Sequence, residues 1–286
     1  MRLLAAAFAL SLMAGTASAQ APAAVVTDPP RDAAHPAGMA YVQIPSRGVL
    51  LNGVMYTASG AGPHPTLVLF HGFPGNEQNL DLAQAVRRAG FNVLTLHYRG
   101  SWGSPGAFSF THCAEDADAA LAFARDPKTV ARFGIDTDRL FTGGHSMGGF
   151  MAASSAAHDL GVKGVVMISA WNIGGTPAAA ANDPGFRENV VPLAGTSVEA
   201  LIAEIQASPE KLKFTSMTDA LKTRPVLLIT ADDGSPKAAH ELAEALKAAG
   251  DRDVGEIHMT TDHPFSDHRI ALESAVVEWL AARGGS

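Results

Sequence analysis

Phe141-Thr-Gly-Gly-His-Ser-Met-Gly-Gly-Phe150 joins a short apolar run, Leu140-Phe-Thr142, to an Ala-rich stretch, Met147 to His158. At its centre is Gly144-His145-Ser146-Met147-Gly148, a Gly-x-Ser-x-Gly pentapeptide. A strand that turns straight into a helix forces the intervening residue into a strained backbone conformation. It also leaves no room for side chains two positions to either side. The glycines therefore predict a sharp strand-turn-helix with the Ser146 hydroxyl standing clear at the top of a sheet. Placed at a helix start, that hydroxyl also meets unpaired N–H groups and the positive end of the helix dipole.

Working outward, the same alternation repeats. Thr66 to Phe70 is a short apolar run closed by His71-Gly72, then Asn79 to Ala89 has helical spacing and ends at Gly90. Phe91 to His97 is followed by the helical stretch Ala114 to Arg125, and Gly164 to Ser169 follows the serine helix. Val226 to Thr230 leads into Lys237 to Ala249, and Val254 to Met259 into Arg269 to Ala282. Near-continuous apolar strands, each followed by a helix, predict an α/β fold with a mostly parallel central sheet and helices on both faces. Ahead of them, Tyr41 to Ile44 and Val49 to Thr57 flank Pro45 and Gly48, predicting an antiparallel N-terminal hairpin. Between Ser169 and Val226 lie some fifty residues with Gly174-Gly175, Pro177, Pro184, Pro192 and one helical stretch, Thr196 to Gln206. That is too long for a plain crossover. A small cap insertion over about 171–223 accounts for it, the alternative being a loose surface excursion.

A chain of 286 residues, 47% hydrophobic and 17% charged, can bury a large core, and no interior linker divides it. One catalytic domain over 39–286 is expected. A formal net charge of -7 and no basic cluster longer than Arg87-Arg88 argue against nucleic acid as a partner. Met1-Arg2, the apolar run Leu3 to Ala14 and Ala17-Ser18-Ala19 have the form of a signal peptide over 1–19, cleaved after Ala19. An uncleaved anchor is the alternative. The run is short for a membrane span, so the mature form is expected to have none and to be periplasmic or secreted. Residues 20–38, rich in Pro and Ala, read as a flexible lead-in. Cys113 is the one cysteine, so no intramolecular disulfide forms, and packing is expected of it rather than catalysis. His112, Asp116 and Asp118 lack the ligand spacing of a zinc site and read as a solvated helix face. No phosphate loop or dinucleotide fingerprint is present, so neither a cofactor nor a metal is implied.

With these motifs in place, the chain from about residue 40 to the end resembles the α/β-hydrolase superfamily. His71-Gly72-Phe73-Pro74-Gly75 is similar to its oxyanion-hole turn. Tyr98-Arg99-Gly100-Ser101-Trp102-Gly103 is similar to a loop of prolyl-oligopeptidase-like and dienelactone-hydrolase-like members. The resemblance implies a serine hydrolase whose triad runs serine, acid, histidine along the chain. Ser146 is then the nucleophile. His263, after the last strand, is the general base, with His268 as competitor at the start of the final helix and His258 packed within the strand. The acid follows Val226–Thr230, where Asp233 is favoured and Asp232 is the alternative. Met147 and Phe73 supply the oxyanion-hole amides, while His71 braces its loop. His145, Trp102, Trp171, Phe186 and Phe214 are the candidate substrate contacts. A carboxylic ester is the expected substrate, with short peptides as the enzymatic alternative. A noncatalytic binding protein on the same scaffold is the alternative of another class.

Overall fold

A computed structural model describes residues 20–284. The residues read as a signal peptide lie outside the described part. Eight strands form one sheet in the order β1-β2-β4-β3-β5-β6-β7-β8. These are β1 Gly38–Ser46, β2 Val49–Thr57, β3 His64–Phe70, β4 Asn92–Leu96, β5 Ile135–His145, β6 Val162–Ile168, β7 Val226–Thr230 and β8 Val254–His258. The β1–β2 and β2–β4 pairs are antiparallel and every pair from β4 to β8 is parallel. This is the α/β-hydrolase fold with the antiparallel edge that the first hairpin predicts.

Among the described residues the ten α-helices are α1 Ala23–Val26, α2 Leu80–Arg88, α3 Phe110–Arg125, α4 Pro127–Phe133, α5 Met147–His158, α6 Pro184–Val190, α7 Val198–Ala207, α8 Thr218–Leu221, α9 Ser235–Ala248 and α10 Arg269–Gly284. Two cores form because the central strands are apolar on both faces. One packs α3, α5 and α9 with the cap against side chains such as Val68, Leu94, Val165 and Leu228. The other packs α2 and α10 against Leu67, Phe141, Val166 and Leu227. Among the described residues no helix is long and apolar enough to cross a membrane.

Several elements differ from expectation for identifiable reasons. Strand β5 begins at Ile135 rather than Leu140, because its polar first half pairs with β3 only at His64 before the register shifts. Helix α3 starts at Phe110, where the Ser109 hydroxyl accepts the His112 amide as an N-cap. Helix α4 was hidden by Pro127, which sits in the first turn, where proline costs no hydrogen bond, under an Asp126 cap. The lead-in is not free chain: α1 packs on α2 and α10, and the Arg88 guanidinium donates to the carbonyls of Ala24 (2.6 Å) and Val25 (3.3 Å). Arg88 therefore ties the lead-in to the fold. Asp116, read above as part of a solvated helix face, needs correction too. It is fully buried, and its carboxylate accepts from the Ser46 hydroxyl (2.6 Å), the Arg99 amide and the Arg99 Nε (2.8 Å each). Cys113 is buried as expected.

The cap is more helical than a single segment. Besides α7 it holds α6, α8 and four short 3-10 turns. Pro184, a breaker on composition, stands at the start of α6, whose Phe186 amide is capped by Asp183 Oδ1 at 2.7 Å.

Candidate active site

Ser146 sits between β5 and α5 with φ 56° and ψ −122°, a backbone region that costs a non-glycine residue about 1–3 kcal/mol. The surroundings hold it there. Its amide donates to the Ile168 carbonyl at 2.9 Å, and its own carbonyl accepts the amides of Trp171 at 2.9 Å and Gly149 at 3.0 Å. A Cβ on Gly144 would lie 2.2 Å from the Gly148 carbonyl oxygen, and one on Gly148 only 2.1 Å from that of Phe70. The glycines on either side of the serine are therefore steric necessities, as the pentapeptide predicts.

The loop after β8 brings His263 to the same cavity as Ser146 and Asp233, which is about 790 Å³ in volume. His263 Nδ1 lies 2.5 Å from Asp233 Oδ2. The Asp233 side chain is only 8% exposed. Burial pushes its carboxyl up, but the hydrogen bonds from His263 and from the Ser235 amide outweigh that and hold it well below the ordinary carboxylate range. Asp232 turns away, with Oδ1 at 3.1 Å from Nε2 of His258. His268 pairs with Asp267 at 2.8 Å and is not on the cavity wall.

Two side chains outside the cavity pin the histidine loop through consecutive carbonyls. His145 Nε2 donates to the His263 carbonyl at 2.8 Å, and Arg269 donates to that of Pro264 at 2.8 Å. Arg269 is itself gripped by Asp81, at 2.5 and 2.7 Å, and by Asn79 Oδ1 at 2.9 Å. Burial, and then the neighbouring His263, push His145 down to about 4, so the ring is neutral near pH 7 and carries its proton on Nε2. His145 is thus a buried brace rather than the expected substrate contact. Arg269 was invisible in the sequence, because its partner Asp81 lies 188 residues away.

The turn at His71-Gly72-Phe73 packs over the elbow, such that a Cβ on Gly72 would sit 3.1 Å from that of Ser146. His71 is buried, its Nδ1 donates to the Gly72 carbonyl at 2.7 Å, and it is pushed down to about 4 chiefly by burial. Among the described residues neither the Met147 nor the Phe73 amide has a backbone acceptor. Trp102 is not on the cavity wall. Its ring is 45% exposed and its Nε1 donates to the Pro74 carbonyl at 2.9 Å, which braces the turn from outside. Phe214 is also displaced from its expected place. It is 2% exposed and stacks on Phe150 of α5 at 6.2 Å, because its 3-10 turn faces the core. Trp171 and Phe186 do line the cavity, together with Phe73. Asn172, Asp183 and Asn189 line it too. Sequence reasoning passed over them, although the Asp-Pro cap signature at Asp183 was there to be read.

Among the described residues one group could hold a metal, His240, Glu244 and Glu256, all exposed and none on the cavity wall. Lys247 already bonds both glutamates, at 3.2 and 2.7 Å.

The alpha/beta hydrolase fold profile matches residues 65–211. An uncharacterized protein of Mycobacterium tuberculosis H37Rv is 32% identical over 105 residues, 35% of this chain and 37% of that one. The chain thus spans little more than a third of that curated relative. Among solved structures, an esterase of Pyrobaculum calidifontis superposes with a TM-score of 0.63 at 20% identity, covering 88% of each chain. An acylaminoacyl peptidase of Pyrococcus horikoshii gives 0.65 at 17% identity, covering 87% of this chain and 42% of that one. At such identities the likeness is one of fold. The profile match takes in just over half of the 286 residues, from β3 through the turn at His71 and the strained serine into the cap, and on that basis the chain belongs to the α/β hydrolase fold family.

Proposed function

We propose that the protein is a serine hydrolase that cleaves a carboxylic ester through an acyl-enzyme, with Ser146 as nucleophile, His263 as base and Asp233 as the acid of a triad. The observation that carries this reading is the 2.5 Å contact between His263 Nδ1 and Asp233 Oδ2, beside a strained serine in one cavity. An ionised Asp233 accepting from Nδ1 leaves Nε2 free to take a proton. The step then runs from the Ser146 hydroxyl to His263 Nε2 as Oγ attacks the ester carbonyl. The Met147 and Phe73 amides hold the oxyanion, each worth roughly 3 kcal/mol in comparable sites. The imidazolium returns its proton to the leaving alkoxide, and water repeats the cycle on the acyl-enzyme. The esterases among the solved structures of like fold support an ester as the substrate. The leader read at 1–19 supports a periplasmic or secreted site of action.

A fluorophosphonate probe and a panel of esters and aminoacyl nitroanilides test the reading. The expected result is one label on Ser146, turnover of esters above anilides, and loss of both label and turnover in Ser146→Ala. A protein that takes no label would be a binding module on this scaffold, and more than a few per cent of turnover in the variant would remove Ser146 as nucleophile.

A further inference from the structure

The cavity beside Ser146 has an unusual wall. Every apolar side chain on it larger than proline is an aromatic ring, namely Phe73, Trp171 and Phe186, and no Leu, Ile, Val or Met takes part. The three rings form one continuous surface. Phe73 stacks on Phe186 at 5.4 Å and 29°, tilts against Trp171 at 5.9 Å, and Trp171 meets Phe186 edge-on at 6.3 Å. Buried Phe110 backs the surface, edge-on to Trp171 at 5.4 Å. Trp171 Nε1 donates to the Thr176 hydroxyl at 3.0 Å, so its polar edge is satisfied without the substrate. Its amide donates to the Ser146 carbonyl, which ties the wall to the reacting serine. The lining holds no Lys or Arg, so an anionic substrate would find no fixed counter-charge there.

A fixed aromatic surface recognises a ring by offset or edge-to-face contact of quadrupoles, an attraction that an alkyl group of equal size lacks. We propose that the natural substrate is a neutral ester whose larger half carries an aromatic ring, docked on Phe73, Trp171 and Phe186. The inference rests on the reading of Ser146 as nucleophile and adds the substrate class.

The test uses two matched pairs with no other ring, followed by acid release: ethyl 3-phenylpropanoate against ethyl 3-cyclohexylpropanoate, and 2-phenylethyl acetate against 2-cyclohexylethyl acetate. Cyclohexyl is the more hydrophobic member, so greasiness alone would favour it. Aromatic recognition reverses the order in at least one pair, by about threefold to tenfold in kcat/KM, and the responding pair identifies the half that carries the ring. Phe186→Leu and Trp171→Leu keep an apolar side chain but remove a ring, and the phenyl preference should collapse towards unity in each. Fluorophosphonate labelling of every variant reports whether Ser146 is still reactive. Equal turnover or a cyclohexyl preference in both pairs, with labelling intact, overturns the aromatic proposal and leaves the hydrolase reading standing. So does a preference that both variants retain. Failure of wild-type protein to label or to turn over any ester overturns the hydrolase reading instead.

Discussion

Asp232 and Asp233 are neighbours in the chain and each faces a histidine, yet they belong to different worlds. In the outer pair Asp232 reaches back to His258, which stands on the last rung of the β7–β8 ladder in register with Thr230. The two side chains are 56% and 46% exposed and 3.1 Å apart. The inner pair, Asp233 with His263, lies in the cavity at 2.5 Å, with the aspartate nearly buried. One tight turn makes the difference: the Asp233 amide donates to the Ala231 carbonyl at 2.9 Å, and Gly234 follows at φ 90°. That turn throws consecutive side chains to opposite sides of the strand end. Asp233 Oδ1 then accepts the Ser235 amide at 2.8 Å, opening α9, while Oδ2 holds His263. The same two residue types thus meet through a buried aspartate in one place and a solvated one in the other, while the two histidines are about equally exposed.

The sharpest break of this comparison is a swap of amides. Asp233→Asn should lower ester turnover by about 10² to 10⁴, because an amide no longer fixes the histidine tautomer. Asp232→Asn should leave kcat within about twofold. Steady-state kinetics on one ester decide it, and reversed effects would make the outer pair the functional one.

A second, smaller effect separates the pairs by their anchors. The inner histidine loop is tied at two successive carbonyls by His145 and Arg269, and Arg269 is clamped by Asp81. Loosening such a loop displaces His263 without removing it. Arg269→Ala should therefore lower kcat about tenfold, with KM within twofold and Asp233 untouched. An unchanged kcat would mean that His145 alone suffices to hold the loop.

What could be read from the sequence follows from these distinctions. Gly144, Ser146 and Gly148 were legible because the backbone at the elbow tolerates no other residue types at the flanks, where an added Cβ would meet carbonyl oxygens. The sheet was legible because its strands are apolar on both faces. His263 and Asp233 were placed in their loops by the triad order that the family resemblance implies, laid on the order of elements, but the choice between adjacent aspartates turned on a single φ-positive turn that composition does not specify. The cavity wall was legible only in part. Trp171 and Phe186 face the cavity whereas Phe214, equally apolar and in the same insertion, faces α5. An irregular cap has no periodicity to say which face a ring takes. His145, Trp102 and Arg269 act through backbone carbonyls of distant segments, and such contacts leave no local signature.

The smallest expected effect lies in the outer pair itself, and it tests whether exposure is what disarms it. His258 Nδ1 meets the Thr230 hydroxyl at 3.0 Å, and Nε2 faces Asp232, so the ring is oriented from both sides. Were orientation alone enough, this pair would couple as strongly as the inner one. Solvent screens it, however, and exposed ion pairs are worth about 0–1 kcal/mol in double-mutant cycles. A cycle of Asp232→Asn, His258→Gln and the double variant, measured by urea unfolding at pH 6, should therefore give a coupling of at most about 0.5 kcal/mol that fades in molar salt. A coupling above about 1.5 kcal/mol that survives salt would show that the ladder rung shields the pair despite its exposed surface. Burial would then no longer separate the two aspartates, and the turn at Gly234, which aims Asp233 at the cavity, would have to carry the distinction alone.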